Sequence, residues 1–243
     1  MIRFASFTRR ALPLLLLLAA ACGSDAQDSR GADRARTLFD EPSSGVAAPV
    51  AATPLPGDAP KVVFLGDSIG AGLHLAEHQA FPAVMQARLA ADGSPFELVN
   101  ASESGRTTSG GVTALDWVMR TDPDVVVIEL GGNDGLRGIA LEQIESNLRR
   151  MIERAREGGA HVLLLGVRLP PNYGEYGASF DALYPRLARE LDVDFEPSFM
   201  RDVGGVPSMN LADGLHPTAM GHERLADNVL PSLRRVLRAA AAD

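Results

Sequence analysis

The strongest constraint on the fold is a set of short β-rich runs, most of them apolar at every position, separated by stretches of helical periodicity. They cover Lys61 to Leu65, Phe96 to Asn100, Val125 to Leu130 and His161 to Val167, with a weaker one at Val193 to Phe195. A strand with one solvated face alternates apolar and polar residues, so unbroken apolar runs predict parallel strands covered on both faces. The intervening helices are amphipathic. The clearest carries Leu141, Ile144, Leu148, Met151, Ile152 and Ala155 on one stripe, and Gly158-Gly159 predicts a left-handed cap at its end. Further helices are predicted near Phe81 to Ala91, Ser109 to Arg120, Ser179 to Glu190 and Thr218 to Ala240. Such alternation predicts an α/β domain whose parallel sheet has helices on both faces, with the site beyond the carboxyl ends of the strands. Ser68, Ser102 to Arg106, and Gly131 to Asp134 follow the first three strands, so three loops converge on that edge.

The first segment stands apart from this pattern. Arg3, Arg9 and Arg10 precede an apolar stretch from Ala11 to Ala21 that ends in small residues, the arrangement of a secretory leader over residues 1–21. Its apolar core, about a dozen residues, is short of the roughly 20 needed to cross a bilayer. Leu18-Ala19-Ala20-Ala21-Cys22 resembles a bacterial lipoprotein cleavage box, which makes Cys22 the expected lipidated residue and a membrane the expected partner of the mature N-terminus. Gly23-Ser24 lacks the aspartate that marks inner-membrane retention in some bacteria, so the expected location is the cell envelope or periplasm, with the outer membrane favoured. Cys22 is the sole cysteine, which rules out an internal disulfide. Removing three arginines and no acid takes the formal charge from −8 to −11, a poor balance for binding nucleic acid. Residues 22–59, rich in Ala, Pro, Ser, Gly and Asp, read as a flexible tether, and 60–243 as one domain.

Within that domain, Val62 to Leu65 run into Gly66-Asp67-Ser68, presenting a small hydroxyl at a strand end, with Gly70 and Gly72 permitting a sharp turn. Ser68 is thus a candidate nucleophile, and it needs a base, an orienting acid and oxyanion donors. His216 lies in Asp213-Gly214-Leu215-His216-Pro217, just ahead of the last helix, where Asp213 can meet ring Nδ1 while Nε2 faces Ser68. The other four histidines, His74, His78, His161 and His222, read as surface or supporting residues. Asn133, after Gly131-Gly132, offers an amide donor suited to an oxyanion, and Gly105 offers a bare backbone N–H. Each block has an ordinary alternative taken alone: a turn asparagine, an unremarkable glycine, a polar loop.

Taken together, Ser68, Gly105, Asn133 and Asp213/His216 resemble the GDSL or SGNH hydrolase superfamily. The likeness extends over essentially the whole domain, through Val99-Asn100-Ala101, Glu129 to Gly138, Arg168 to Gly174 and Tyr184-Pro185. Those stretches look like its bacterial arylesterase, acyl-CoA thioesterase I and lysophospholipase group. The resemblance implies a flavodoxin-like three-layer α/β/α sandwich around a five-stranded parallel sheet, and a Ser-His-Asp mechanism on carboxylic esters or thioesters with no metal or other cofactor. It makes Ser68 the nucleophile, His216 the base and Asp213 its orienting acid. The N–H groups of Ser68 and Gly105 and the Asn133 side chain form the implied oxyanion hole. The loop comprising Gly135, Leu136, Arg137, Gly138, Ile139 and Ala140 is expected against the acyl chain of a small-molecule or lipid ester.

The same residues admit other readings. A carbohydrate or peptidoglycan O-acetylesterase would need a short, closed acyl site in place of a long apolar groove. A non-catalytic envelope lipoprotein would have no need of the full set of catalytic positions. A phosphate loop at Gly66, Gly70 and Gly72 lacks the Walker lysine, and the sole lysine, Lys61, precedes the strand.

Overall fold

In the computed structural model, which describes residues 57–242, Val62 to Leu65 lie fully inside β1 (Lys61–Gly66). The chain continues through the four-residue α1 (Ser68–Ala71), α2 (Phe81–Ala91), β2 (Glu97–Asn100), α3 (Thr108–Met119) and β3 (Val125–Glu129). It then forms the short α4 (Gly132–Leu136), α5 (Leu141–Glu157), β4 (His161–Leu165), α6 (Gly174–Leu191), β5 (Asp194–Glu196) and α7 (Ala219–Ala240). The expected leader, Cys22, and the tether up to residue 56 lie outside the described residues. Among the described residues, no helix is long and apolar enough to cross a membrane.

All five strands are parallel and lie in the order β2-β1-β3-β4-β5. The chain leaves β1 toward one edge for β2 and then crosses back over β1 to β3. That reversal opens a crevice beyond the carboxyl ends of β1 and β3, the usual ligand position in such sheets. Val62 pairs with Val125 and Leu65 with Ile128, so the Gly66 and Glu129 ends are level. Central strands β1, β3 and β4 are buried almost throughout, as their apolar runs require. The edge strands β2 and β5 are only partly covered, and Glu97 and Asn100 of β2 are exposed.

Helices α2 and α7 pack together on one face, while α3, α5 and α6 form the other layer. On α5, Ile144, Leu148, Met151 and Ile152 are fully buried, each such side chain contributing about 1.5–3 kcal/mol. The polar side of α5 carries Glu145 and Arg149, which pair with Arg186 and Glu190 of α6 at 2.8 and 2.6 Å. Helix α5 ends in a Schellman arrangement. Ala160 N–H donates to Ala155 and Gly159 N–H to Arg156, and it is Gly159, at φ 86°, that takes the left-handed turn while Gly158 does not.

Candidate active site

The β1–α1 junction is built by two buried acids. Asp67 caps α1, its Oδ1 accepting the Ile69 N–H at 2.9 Å, which makes Ser68 the first helical residue. Glu129, at the end of β3, accepts the N–H groups of Asp67 and Gly70 through Oε2 at 3.2 and 3.1 Å. Those two N–H groups are therefore spoken for and cannot cradle a phosphate. The two glycines near the serine have different tasks. Gly72 sits at φ 66° and supplies the turn, whereas a Cβ on Gly70 would come within 2.3 Å of Ser102 Oγ.

Burial, with the Asp67 charge beside it, pushes Glu129 well above the usual carboxylate range. Burial also raises Asp67, but N–H donation from Ile69 and Asn133 works against that shift. Both members of the pair are thus shifted upward, Glu129 the further of the two.

Beyond β3, Gly131 adopts φ 117° against Tyr184, whose hydroxyl donates to the Leu130 carbonyl at 2.9 Å. Helix α4 follows directly, so Asn133, expected in a loop, lies in a short helix. Asp134 of the same turn is buried and accepts from the Thr108 N–H at 2.8 Å and hydroxyl at 2.6 Å, fastening α4 to the start of α3. Asn133 Nδ2 donates to Asp67 Oδ2 at 3.1 Å. Gly105 turns at φ 80°, its carbonyl facing Arg137. Neither its N–H nor that of Ser68 donates to a protein acceptor among the described residues.

The third component is the loop before α7. Asp213 Oδ1 accepts the N–H groups of Leu215 and His216 at 2.9 and 3.0 Å, and its Oδ2 meets His216 Nδ1 at 2.7 Å. Those bonds, led by the His216 backbone N–H, hold the Asp213 carboxyl well below its ordinary range. His216 Nε2 lies 3.0 Å from Ser68 Oγ. The structure thus brings Ser68, His216 and Asp213 into one hydrogen-bonded line, and Asn133 and Gly105 line the same cavity as the serine.

A cavity of about 300 Å³ opens onto this line and is walled mainly by Ile69, Leu136, Val167, Leu169, Phe199 and Met200. Of the loop expected against an acyl chain, Leu136 lines it. Gly135 backs onto Leu169 and Phe180, and Arg137 reaches toward the Gly105 carbonyl and Asn133 Oδ1 at 3.5 and 3.4 Å. Gly138 turns at φ 66°, the Ile139 carbonyl accepts from Tyr176, and Ala140 leads into α5.

Sequence reasoning did not single out Phe199 or Met200, which come from a stretch without helical or strand periodicity. It passed over Glu129 too, although a lone acid closing an otherwise apolar strand is a usable signal. His74, expected at the surface or in support, is exposed and sits edge-on to His216, ring centres 6.1 Å apart. No group of three or more His, Cys, Asp or Glu side chains arranged to hold a metal occurs among the described residues.

A sequence profile of the GDSL-like lipase/acylhydrolase family matches residues 64–224, which contain every element of this site. The chain belongs to that family. Among similar proteins, the esterase TesA of Pseudomonas aeruginosa is 45% identical over 181 residues, 74% of this chain and 90% of that protein. The thioesterase 1/protease 1/lysophospholipase L1 of Escherichia coli is 39% identical over 171 residues, 70% of this chain and 81% of that one. The crystal structure of TesA superposes with a TM-score of 0.70 at 45% identity, covering 72% of this chain and 99% of that one. This GDSL hydrolase is accordingly an esterase with the three-layer fold of SGNH enzymes, acting on small-molecule ester substrates.

Proposed function

We propose that this esterase moves the acyl group of an ester or thioester to water through an acyl-enzyme on Ser68. The observation that carries the reading is the 3.0 Å approach of His216 Nε2 to Ser68 Oγ, with Asp213 behind the ring. Neutral His216 takes the hydroxyl proton as Ser68 Oγ attacks the carbonyl carbon, and Asp213 steadies the imidazolium that results. The carbonyl oxygen becomes an oxyanion facing the N–H groups of Ser68 and Gly105 and the Asn133 amide. His216 then returns its proton to the leaving oxygen or sulfur. Water, deprotonated by the same ring, attacks the acyl-serine, and collapse of the second oxyanion frees the acid and Ser68.

The apolar cavity supports an acyl chain longer than acetate, which disfavours the sugar or peptidoglycan O-acetylesterase reading. Lysophospholipids and external short or medium acyl esters are the substrate class we infer. The names of the relatives, an esterase and a thioesterase/lysophospholipase, fit the same class. Thioesters fit the chemistry, but acyl-CoA belongs to the cytosol. Residues 1–22 support export and tethering through Cys22, which would concentrate the enzyme beside membrane lipids.

The test is labelling with an active-site fluorophosphonate. Wild type should label and Ser68→Ala should not, with turnover lost in parallel; labelling that survives the substitution rejects Ser68 as nucleophile. Relative turnover of lysophospholipid against short aryl esters then separates the substrate classes.

A further inference from the structure

An asparagine amide is two-faced: its NH₂ donates and its oxygen accepts, and the two ends have nearly the same shape. Turned one way, Asn133 offers an N–H to an oxyanion. Turned the other way, it offers a lone pair to a developing negative charge. Something in the fold must decide between these orientations.

We propose that Asp67 is the positioning residue that fixes the orientation of the Asn133 amide and so completes the oxyanion hole. The inference rests on the acyl-transfer mechanism proposed above. Asp67 Oδ2 lies 3.1 Å from Asn133 Nδ2, and a carboxylate only accepts, so the NH₂ end must face it. One amide hydrogen is used there, and the second is left for substrate. At the other end, Asn133 Oδ1 faces Arg137 Nη2 at 3.4 Å, and a guanidinium only donates, which favours the same orientation. The arginine is exposed and its contact is long, whereas Asp67 is 5% exposed, so Asp67 dominates.

Asp67 cannot itself turn away. Its Oδ1 is committed to the Ile69 N–H as the cap of α1, and its own N–H is held by Glu129. The acid of Gly66-Asp67-Ser68 thus serves both sides of the reaction: one oxygen sets the helix that carries the nucleophile, and the other sets the amide that receives the oxyanion.

This division of labour makes Asp67→Asn a sharp test, because an amide at position 67 cannot satisfy both neighbours. If its oxygen keeps the Ile69 cap, its NH₂ faces the NH₂ of Asn133 and drives the Asn133 amide to flip, aiming a carbonyl oxygen at the oxyanion. Turnover of an aryl ester should then fall by about 10²- to 10³-fold, the range for losing one oxyanion donor, with KM changed less than about twofold.

The decisive comparison is a double-mutant cycle. In an Asn133→Ala background, adding Asp67→Asn should cost little further, because the amide it orients is gone. A near wild-type kcat for Asp67→Asn overturns the proposal, and so do losses that multiply in the double variant.

Asp67→Ser covers the possibility that Asp67→Asn misfolds. Its shorter side chain retains a capping oxygen for Ile69 but does not reach Asn133. It should lose less kcat than Asp67→Asn and, again, add nothing to Asn133→Ala. Multiplying losses in this pair refute the proposal equally. The Ser68→Ala control keeps the two readings apart: turnover persisting there removes the nucleophile assignment itself, whatever the Asp67 cycle gives.

Discussion

Mild acid should destabilise this enzyme through a histidine that takes no part in its chemistry. His222, on α7, is 1% exposed, and its Nδ1 accepts the Phe81 N–H at 3.0 Å while its ring stacks on Phe81. Phe81 opens α2, whose preceding residue, Ala80, has no capping side chain. The imidazole thus supplies the missing acceptor from 141 residues away. Burial pushes His222 from its ordinary 6.5 down to about 4. The folded state therefore takes up the proton later than the unfolded chain. Stability is intact above pH 6.5 and falls by about 1.4 kcal/mol per pH unit as the pH drops toward 4, about 3 kcal/mol in all. Urea unfolding at pH 7.5 and 4.5 would measure this in wild type and in His222→Asn, whose side-chain oxygen can still accept the Phe81 N–H. Carboxylates titrate in both proteins, so the difference isolates the histidine. Wild type should lose about 2 to 3 kcal/mol more than the variant between the two pH values. Equal losses would refute the argument.

Two further outcomes follow from the site. Asp213→Asn should lower kcat on the order of 10⁴-fold with unchanged thermal stability, because an amide no longer fixes the His216 tautomer; kcat within tenfold of wild type in a steady-state assay would count against the orienting role. Gly131→Ala should destabilise by more than the roughly 1–3 kcal/mol typical of backbone strain alone. Its residue sits at φ 117°, and a Cβ there would fall 2.0 Å from the Tyr184 hydroxyl. Chemical denaturation would detect the change, and a variant as stable as wild type would show that the turn has slack.

The sequence made the central strands legible because burial on both faces leaves no polar position in Val62 to Leu65 or Val125 to Ile128. Helix α2 was legible to the residue, and the observed α7 begins one residue after its predicted start, at which Thr218 caps it. Helix α6 begins at Gly174, five residues before the predicted start, because Gly174 and Gly177 weaken the local signal while Tyr176 is held by the Ile139 carbonyl. Helices α1 and α4 are too short to show a period and are set by Asp67 and Gly131. At the site, the residues that were readable are those whose partners lie nearby in the chain, as Asp213 and His216 do. His222 and Glu129 were not, because what makes them buried lies 141 and about 60 residues away.

The loop from Asp213 to His216 is closed on itself: three of its hydrogen bonds end on one carboxylate, and the Leu211 N–H returns to the His216 carbonyl. Asp213 and His216 are therefore held as a unit, outside the sheet, and meet Ser68 through a contact spanning 148 residues. None of residues 211–216 is fully buried, so opening this hairpin-like segment is expected to cost less than opening the core. Catalytic competence and global folding are then separate thermal properties of one molecule. Half-loss of activity is then expected at a lower temperature than the melting of the domain, as parallel turnover and circular-dichroism scans would show.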